Sequence, residues 1–236
     1  MRERKLSVEK YREERVSTGN ATLDMLLNGG FLKNSMILLA GNPGAGKTLL
    51  SARFIYEGAV KDGEPGVYAC FAETKDRFIQ NMKMFGMDFE SLTSKGMVSI
   101  LDLSIGTEEE VQSALNLVFE AITKLRARRL VIDSITAMSI GLKNEFEKRY
   151  LIRLLYRLIQ RTGCTTITVT DIPWGSQRIG ESVEEFVADG IILMENRYDD
   201  DGVLRRYIKV LKMRGTNHAK RTYRYVINEN GVEIKP

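Results

Sequence analysis

At 236 residues, 43% hydrophobic and 28% charged, the chain carries enough apolar surface for one large α/β domain and too much to be disordered. Its formal charge of +4 arises from 35 Lys and Arg against 31 Asp and Glu, a nearly balanced surface that permits a polyanionic partner without indicating one. The N-terminus lacks a signal-peptide stretch, no apolar run approaches the ~20 residues that span a bilayer, and Cys70 and Cys164 sit singly in apolar β-like runs, so a cytoplasmic protein with buried, reduced thiols is expected.

Residues 1–15 mix both signs of charge at high density and read as a solvated arm without chemistry. From Val16 to residue 236, β-branched apolar runs alternate with segments of helical period, the pattern of one α/β domain with a mainly parallel, twisted sheet flanked by helices. Met36–Ala40 is predicted as a buried strand and Lys47–Val60 as a helix, followed by a strand at Gly66–Glu73, a helix at Asp76–Phe85 and a strand at Met97–Leu103. Thr107–Arg126 is predicted to be a helix capped by Thr107, with Glu108, Glu109 and Glu110 favoured by its dipole. Leu130–Asp133 is a short buried strand. Leu151, Leu154, Leu155, Leu158 and Ile159 form the apolar stripe of a helix at Glu145–Arg161, and Thr165–Thr170 follows as a strand. Beyond Gly190 the rhythm becomes antiparallel hairpins: Ile191–Tyr198 into Val203–Arg214, then Tyr223–Ile227 ahead of a turn at 228–231.

Gly41-Asn42-Pro43-Gly44-Ala45-Gly46-Lys47-Thr48 places two glycines around a four-residue gap and follows them with Lys and Thr, between a predicted strand and a predicted helix. Glycines let successive N–H groups turn inward onto phosphate oxygens, and the helix N-terminus adds partial positive charge. The pattern therefore predicts ATP bound along Asn42 to Leu49, with Lys47 on the β- and γ-phosphates and the Thr48 hydroxyl on Mg2+. Asp133, ending an apolar strand, is the expected second holder of the metal. Glu73, closing another predicted strand, is placed to orient or deprotonate the attacking water, although a helix-capping or surface role fits the same position.

Along nearly its whole length, from Val16-Ser17-Thr18-Gly19 through this loop to Lys212-Met213-Arg214-Gly215-Thr216-Asn217-His218, the chain resembles the KaiC-like branch of the RecA superfamily. The resemblance implies a RecA-like core that hydrolyses ATP as a homo-oligomer, a hexameric ring, with Lys212 and Arg214 reaching the phosphates of a neighbouring subunit and His218 near the nucleotide or the interface. An ordinary basic hairpin surface is the alternative for Lys212 and Arg214. The family's paired glutamates are replaced by Phe71-Ala72-Glu73-Thr74, which bears on the rate of hydrolysis rather than on ATP binding. A single core, where the family's circadian clock member has two, implies no clock or autokinase role.

Two other readings of the ATP site remain at this level. One is a recombination regulator that binds single-stranded DNA or a recombinase through residues 178–197, with Trp174 either stacking on bases or packing under its own loop. The other is an ATP-gated scaffold with little turnover.

Overall fold

An apolar run with no polar interruption can be sheltered only inside a sheet covered on both faces. Met36–Gly41 (β3) is buried at every position and stands near the centre of a nine-stranded sheet in the computed structural model, which describes residues 14–103, 107–142, 144–176, 179 and 184–235. The remaining strands are Gly66–Cys70 (β4), Val98–Asp102 (β5), Arg129–Asp133 (β6), Thr165–Asp171 (β7), Gly190–Tyr198 (β8), Leu204–Met213 (β9), Thr222–Asn228 (β10) and Gly231–Lys235 (β11). Their order is β11-β10-β9-β8-β3-β7-β6-β4-β5. The strands from β8 to β5 run parallel, and β9, β10 and β11 add antiparallel hairpins. A small antiparallel pair, Arg15–Val16 (β1) with Phe31–Leu32 (β2), flanks the helix Ala21–Leu26 (α1).

Helices cover both faces. Lys47–Lys61 (α2), Lys75–Lys83 (α3) and Phe89–Ser94 (α4) bury Phe54, Ile55, Phe78, Met82 and Phe89 in one apolar cluster. On the other face, Glu108–Leu125 (α5) and Glu145–Thr162 (α7) bury Leu115, Val118, Leu155 and Ile159 in a second. Between these two lies the one-turn helix Ile135–Met138 (α6), and Glu184–Val187 (α8) precedes β8. Thr107 caps α5, as expected, and does so in a reciprocal box with Glu110.

Several expectations shift. The strand predicted over Gly66–Glu73 stops at Cys70; residues 71–73 bend away, and the Thr74 side chain caps α3 by accepting from Arg77 N. Glu73 therefore lies in a loop after the strand, three residues beyond its end. Arg15, expected in the charged arm, pairs in β1 and donates to the Leu27 and Gly30 carbonyls, whereas residues 1–13 lie outside the described set. Arg129, just ahead of the predicted strand, is its first residue: 1% exposed, ion-paired to Asp62 at 2.5 Å and Glu64 at 2.7 Å, and donating to the Ser17 and Phe54 carbonyls. Both thiols are buried, and burial pushes their pKa values up. Among the described residues, no helix is long and apolar enough to cross a membrane.

Candidate functional site

Parallel strands bring their C-terminal ends to one edge, and a crevice opens there where neighbouring strands are followed in different directions. The chain leaves β3 and returns three strands away in β4, beyond β7 and β6, so the ends of β3, β6 and β7 border such a crevice. A cleft of about 520 Å3 lies at this edge, lined by Gly44, Lys47, Thr48, Glu73, Asp133 and Asp171 on its polar side.

The loop after β3 has little freedom. A Cβ at Gly41 would stand 2.2 Å from the Met194 carbonyl oxygen, and Gly46 has φ 87° with Ile227 in the space a Cβ would need. Asn42 spends its side chain on the fold: Nδ2 donates to Ile172 O at 3.1 Å, and Oδ1 accepts from Asn196 N at 3.0 Å. The Asn196 amide donates to Pro43 O at 3.0 Å, and the Tyr225 hydroxyl donates to Ala45 O at 2.6 Å. The antiparallel hairpins thus brace the loop from behind. The Leu49 side chain is buried in the core.

Lys47, 7% exposed, donates to the carbonyls of Gly41 at 2.8 Å and Asn42 at 3.0 Å, and its ammonium lies 2.9 Å from an Asp171 carboxylate oxygen. The Thr48 hydroxyl donates to Asp133 Oδ2 at 2.7 Å. The same oxygen accepts from the Tyr68 hydroxyl at 2.8 Å, and that hydroxyl is 3.0 Å from Ser51 Oγ. Burial is the main cause that raises the Asp133 pKa and the nearby Asp171 charge adds to it, while the bonds from Thr48 and Tyr68 and the charge of Lys47 act in the opposite sense. Tyr68 is fully buried; burial and then the Asp133 charge push its phenol well above the usual value, which keeps it a donor. Glu73 faces the same cleft and accepts from Asn81 Nδ2 at 3.1 Å; burial, then Asp133, raises its pKa.

Lys212, Arg214 and His218 stand elsewhere. Lys212 donates to the Glu185 and Phe186 carbonyls at the end of α8, and Arg214 bonds Phe186 O at 3.1 Å and Asp189 at 3.2 Å. The two side chains share a face, opposite buried Met213, as strand alternation predicts. His218 Nδ1 lies 2.9 Å from Ala219 O, beside a separate groove bordered by α1. The Trp174 ring is half exposed and stacks on Tyr198 at 6.1 Å between centroids. Of residues 178–197, the span that would meet DNA or a recombinase, 178 and 180–183 lie outside the described set.

A family model described as "ATPase: KaiC" matches residues 16–236. The chain belongs to the KaiC-like ATPase family. It is 34% identical over 237 residues to a UPF0273 protein of Pyrococcus horikoshii, covering 94% of each chain. It is 35% identical to the circadian clock oscillator protein KaiC of Synechococcus elongatus over 90% of its own length, which is 42% of the clock protein's. The crystal structure of a KaiC-like protein from Pyrococcus horikoshii superposes with a TM-score of 0.87 at 33% identity, covering 95% of this chain and 100% of that one. The chain is thus a nucleotide-binding, ATPase-type domain with the RecA-like fold.

In this KaiC-like domain, Asp171, Tyr68, Asn81, Asn196 and Tyr225 belong to the site although sequence reasoning passed over them. Asp171 had a readable signal, since it ends an apolar strand just as Asp133 does. Among the described residues, no three His, Cys, Asp or Glu gather closely enough to cage a metal.

Proposed function

We propose that this chain is a Mg2+-dependent ATPase that works as an oligomer, a hexameric ring, with nucleotide sites completed by neighbouring subunits. The observation that carries the reading is the meeting of Lys47, Thr48, Asp133 and Glu73 in one cleft over a braced glycine-rich loop. Lys47 and the loop amides hold the β- and γ-phosphates. Met84, Phe85 and Ile227 offer an apolar end to the cleft that suits the base.

The donors fit Mg2+: hydroxyl and carboxylate oxygens 2.7 Å apart, with the carboxylate's pKa held up by burial, so that a cation there relieves an unfavourable ionisation. Thr48 and Asp133 would hold the ion, which would supply positive charge to offset that of the triphosphate. Glu73, steadied by Asn81, takes a proton from water as the new O–P bond forms and the bond to the ADP oxygen breaks. Its raised pKa makes it a stronger base once ionised. In this reading Lys212 and Arg214 serve the neighbour's phosphates, and His218 lies near that interface.

The test measures ATP turnover against protein concentration, with mass followed by light scattering. Specific activity should rise as rings form, and Lys47→Ala should abolish ATP binding. Mixing Lys47→Ala with Arg214→Ala should restore activity, because each supplies what the other lacks. Concentration-independent turnover with no restoration would defeat the shared site, and an unchanged ATP dissociation constant in Lys47→Ala would defeat the binding assignment. Nothing in the described geometry favours the DNA reading, since one Trp174 face is taken by Tyr198.

A further inference from the structure

Arg214 is 53% exposed in its side chain, yet it is tied down at one end. The tie is Asp189, the residue ahead of β8, whose own side chain is 19% exposed. Asp189 Oδ2 accepts from Met36 N at 3.0 Å, and Asp189 N donates to Met36 O at 2.8 Å, so both polar groups of the first residue of β3 grip it. Its other carboxylate oxygen faces Arg214 Nη1 at 3.2 Å, its carbonyl accepts from Arg214 N at 2.9 Å, and Arg214 Nη2 donates to Phe186 O at 3.1 Å. A guanidinium has five N–H donors, so several remain to project outward. The strand that fixes Asp189 at its beginning is the one that carries the phosphate loop at its end.

We propose that Asp189 is the positioning residue for Arg214, holding the guanidinium in register with the phosphate-loop strand of its own subunit while its free donors face the neighbour's nucleotide. This rests on the shared-site reading above. Asp189 touches no phosphate; it acts by denying Arg214 its other rotamers. A trans-acting arginine is worth roughly 10³–10⁵ in rate, and a displacement of about 1 Å in such a group can cost on the order of 10²-fold. The carboxylate serves two partners on its two oxygens, and an amide has one acceptor for both.

The experiment is a double-mutant cycle on the oligomeric protein with Asp189→Asn, Arg214→Ala and both. Asp189→Asn should lower kcat by roughly 10- to 100-fold, with the KM for ATP and the melting temperature nearly those of wild type. In the Arg214→Ala background it should have no further effect on kcat, because residues acting through one group are not additive. Lys47→Ala subunits, whose Arg214 is intact, should rescue Asp189→Asn subunits, whose own phosphate site is intact. A merely structural defect would not be rescued in trans. If Asp189→Asn does not fold, Asp189→Glu, which keeps the charge but moves it by one methylene, should give the same kcat loss and rescue. Additive losses, or wild-type kcat in either folded variant while Arg214→Ala is impaired and rescued, would overturn the role of Asp189. Full activity in Arg214→Ala itself would instead overturn the shared-site reading.

Discussion

Tyr68→Phe isolates one bond of the site with little change in shape. The ring stays, packed 4.3 Å from Phe78 between centroids, and only a fully buried hydroxyl is lost. That hydroxyl donates to Asp133 Oδ2 at 2.8 Å; its other neighbour, Ser51, keeps the Thr48 carbonyl at 3.1 Å, so no second group is orphaned. A hydrogen bond to a charged acceptor contributes roughly 1.5–3 kcal/mol, and the saved desolvation of the phenol offsets part of it, leaving about 1–2 kcal/mol. For a domain of this size, that lowers Tm by about 2–8 °C. The bond lowers the Asp133 pKa relative to what burial alone would give, so its benefit is present while Asp133 is ionised and fades as pH falls through its folded value. Thermal melts of both proteins across pH should therefore diverge at neutral pH and converge in acid. The Mg2+ concentration needed for half-maximal turnover should rise in the variant. An equal Tm difference at all pH values, or no difference at all, would refute the carboxylate as the acceptor that matters.

Asp133→Asn should separate stability from function. Burial raises the Asp133 pKa above its ordinary 3.8, so the stability held with the proton on is lost as pH rises from that value through the folded one; the amide should melt higher than wild type at neutral pH in the absence of nucleotide, by about 2–4 °C per kcal/mol, while turnover falls. A lower Tm in calorimetry would contradict this. Asp171→Asn should tighten ATP binding by roughly 2- to 5-fold in calorimetric titration, because phosphate no longer competes with a half-exposed carboxylate for Lys47; weaker binding would make Asp171 a ligand-side group instead. Glu73→Gln should keep the ATP dissociation constant and lose most hydrolysis, and the acid limb of the wild-type rate profile should lie above the ordinary carboxylate value because activity rises with pH as Glu73 deprotonates. Wild-type turnover in that variant would place the base elsewhere.

What could be read from the sequence was whatever local chemistry dictates. The glycine-rich loop is legible because only glycines fit at Gly41 and Gly46 and a Lys followed by a hydroxyl residue completes the pattern. Asp133 is legible because a carboxylate ends an apolar strand. Tyr68 is not, since a tyrosine inside Val67–Cys70 looks like core until its hydroxyl meets Asp133. Asn196 and Tyr225 reach the loop from hairpins more than 150 residues away, a distance no local pattern encodes. The overrun of the strand beyond Cys70 has a similar cause: Phe71 and Ala72 continue the apolar run after the ladder has stopped. The helices Phe89–Ser94 and Ile135–Met138 are too short to display a period.

The charge balance of the cleft bears on why its site would be shared. Three carboxylates, Glu73, Asp133 and Asp171, line it against one lysine, and that lysine already faces Asp171 and two carbonyls. A triphosphate brought into this surrounding adds negative charge where burial already raises the pKa values of Glu73 and Asp133. Such a site is electrostatically unfavourable alone and becomes favourable when cations arrive with the ligand or from outside the chain. Lys212 and Arg214 are held on a separate face of the same subunit, at the end of α8, where they cannot answer this deficit internally. On the shared-site reading proposed above, their separation from their own Lys47 and the excess of carboxylates around it are two sides of one arrangement, in which the acidic cleft of one copy and the basic edge of another would complete each other on assembly.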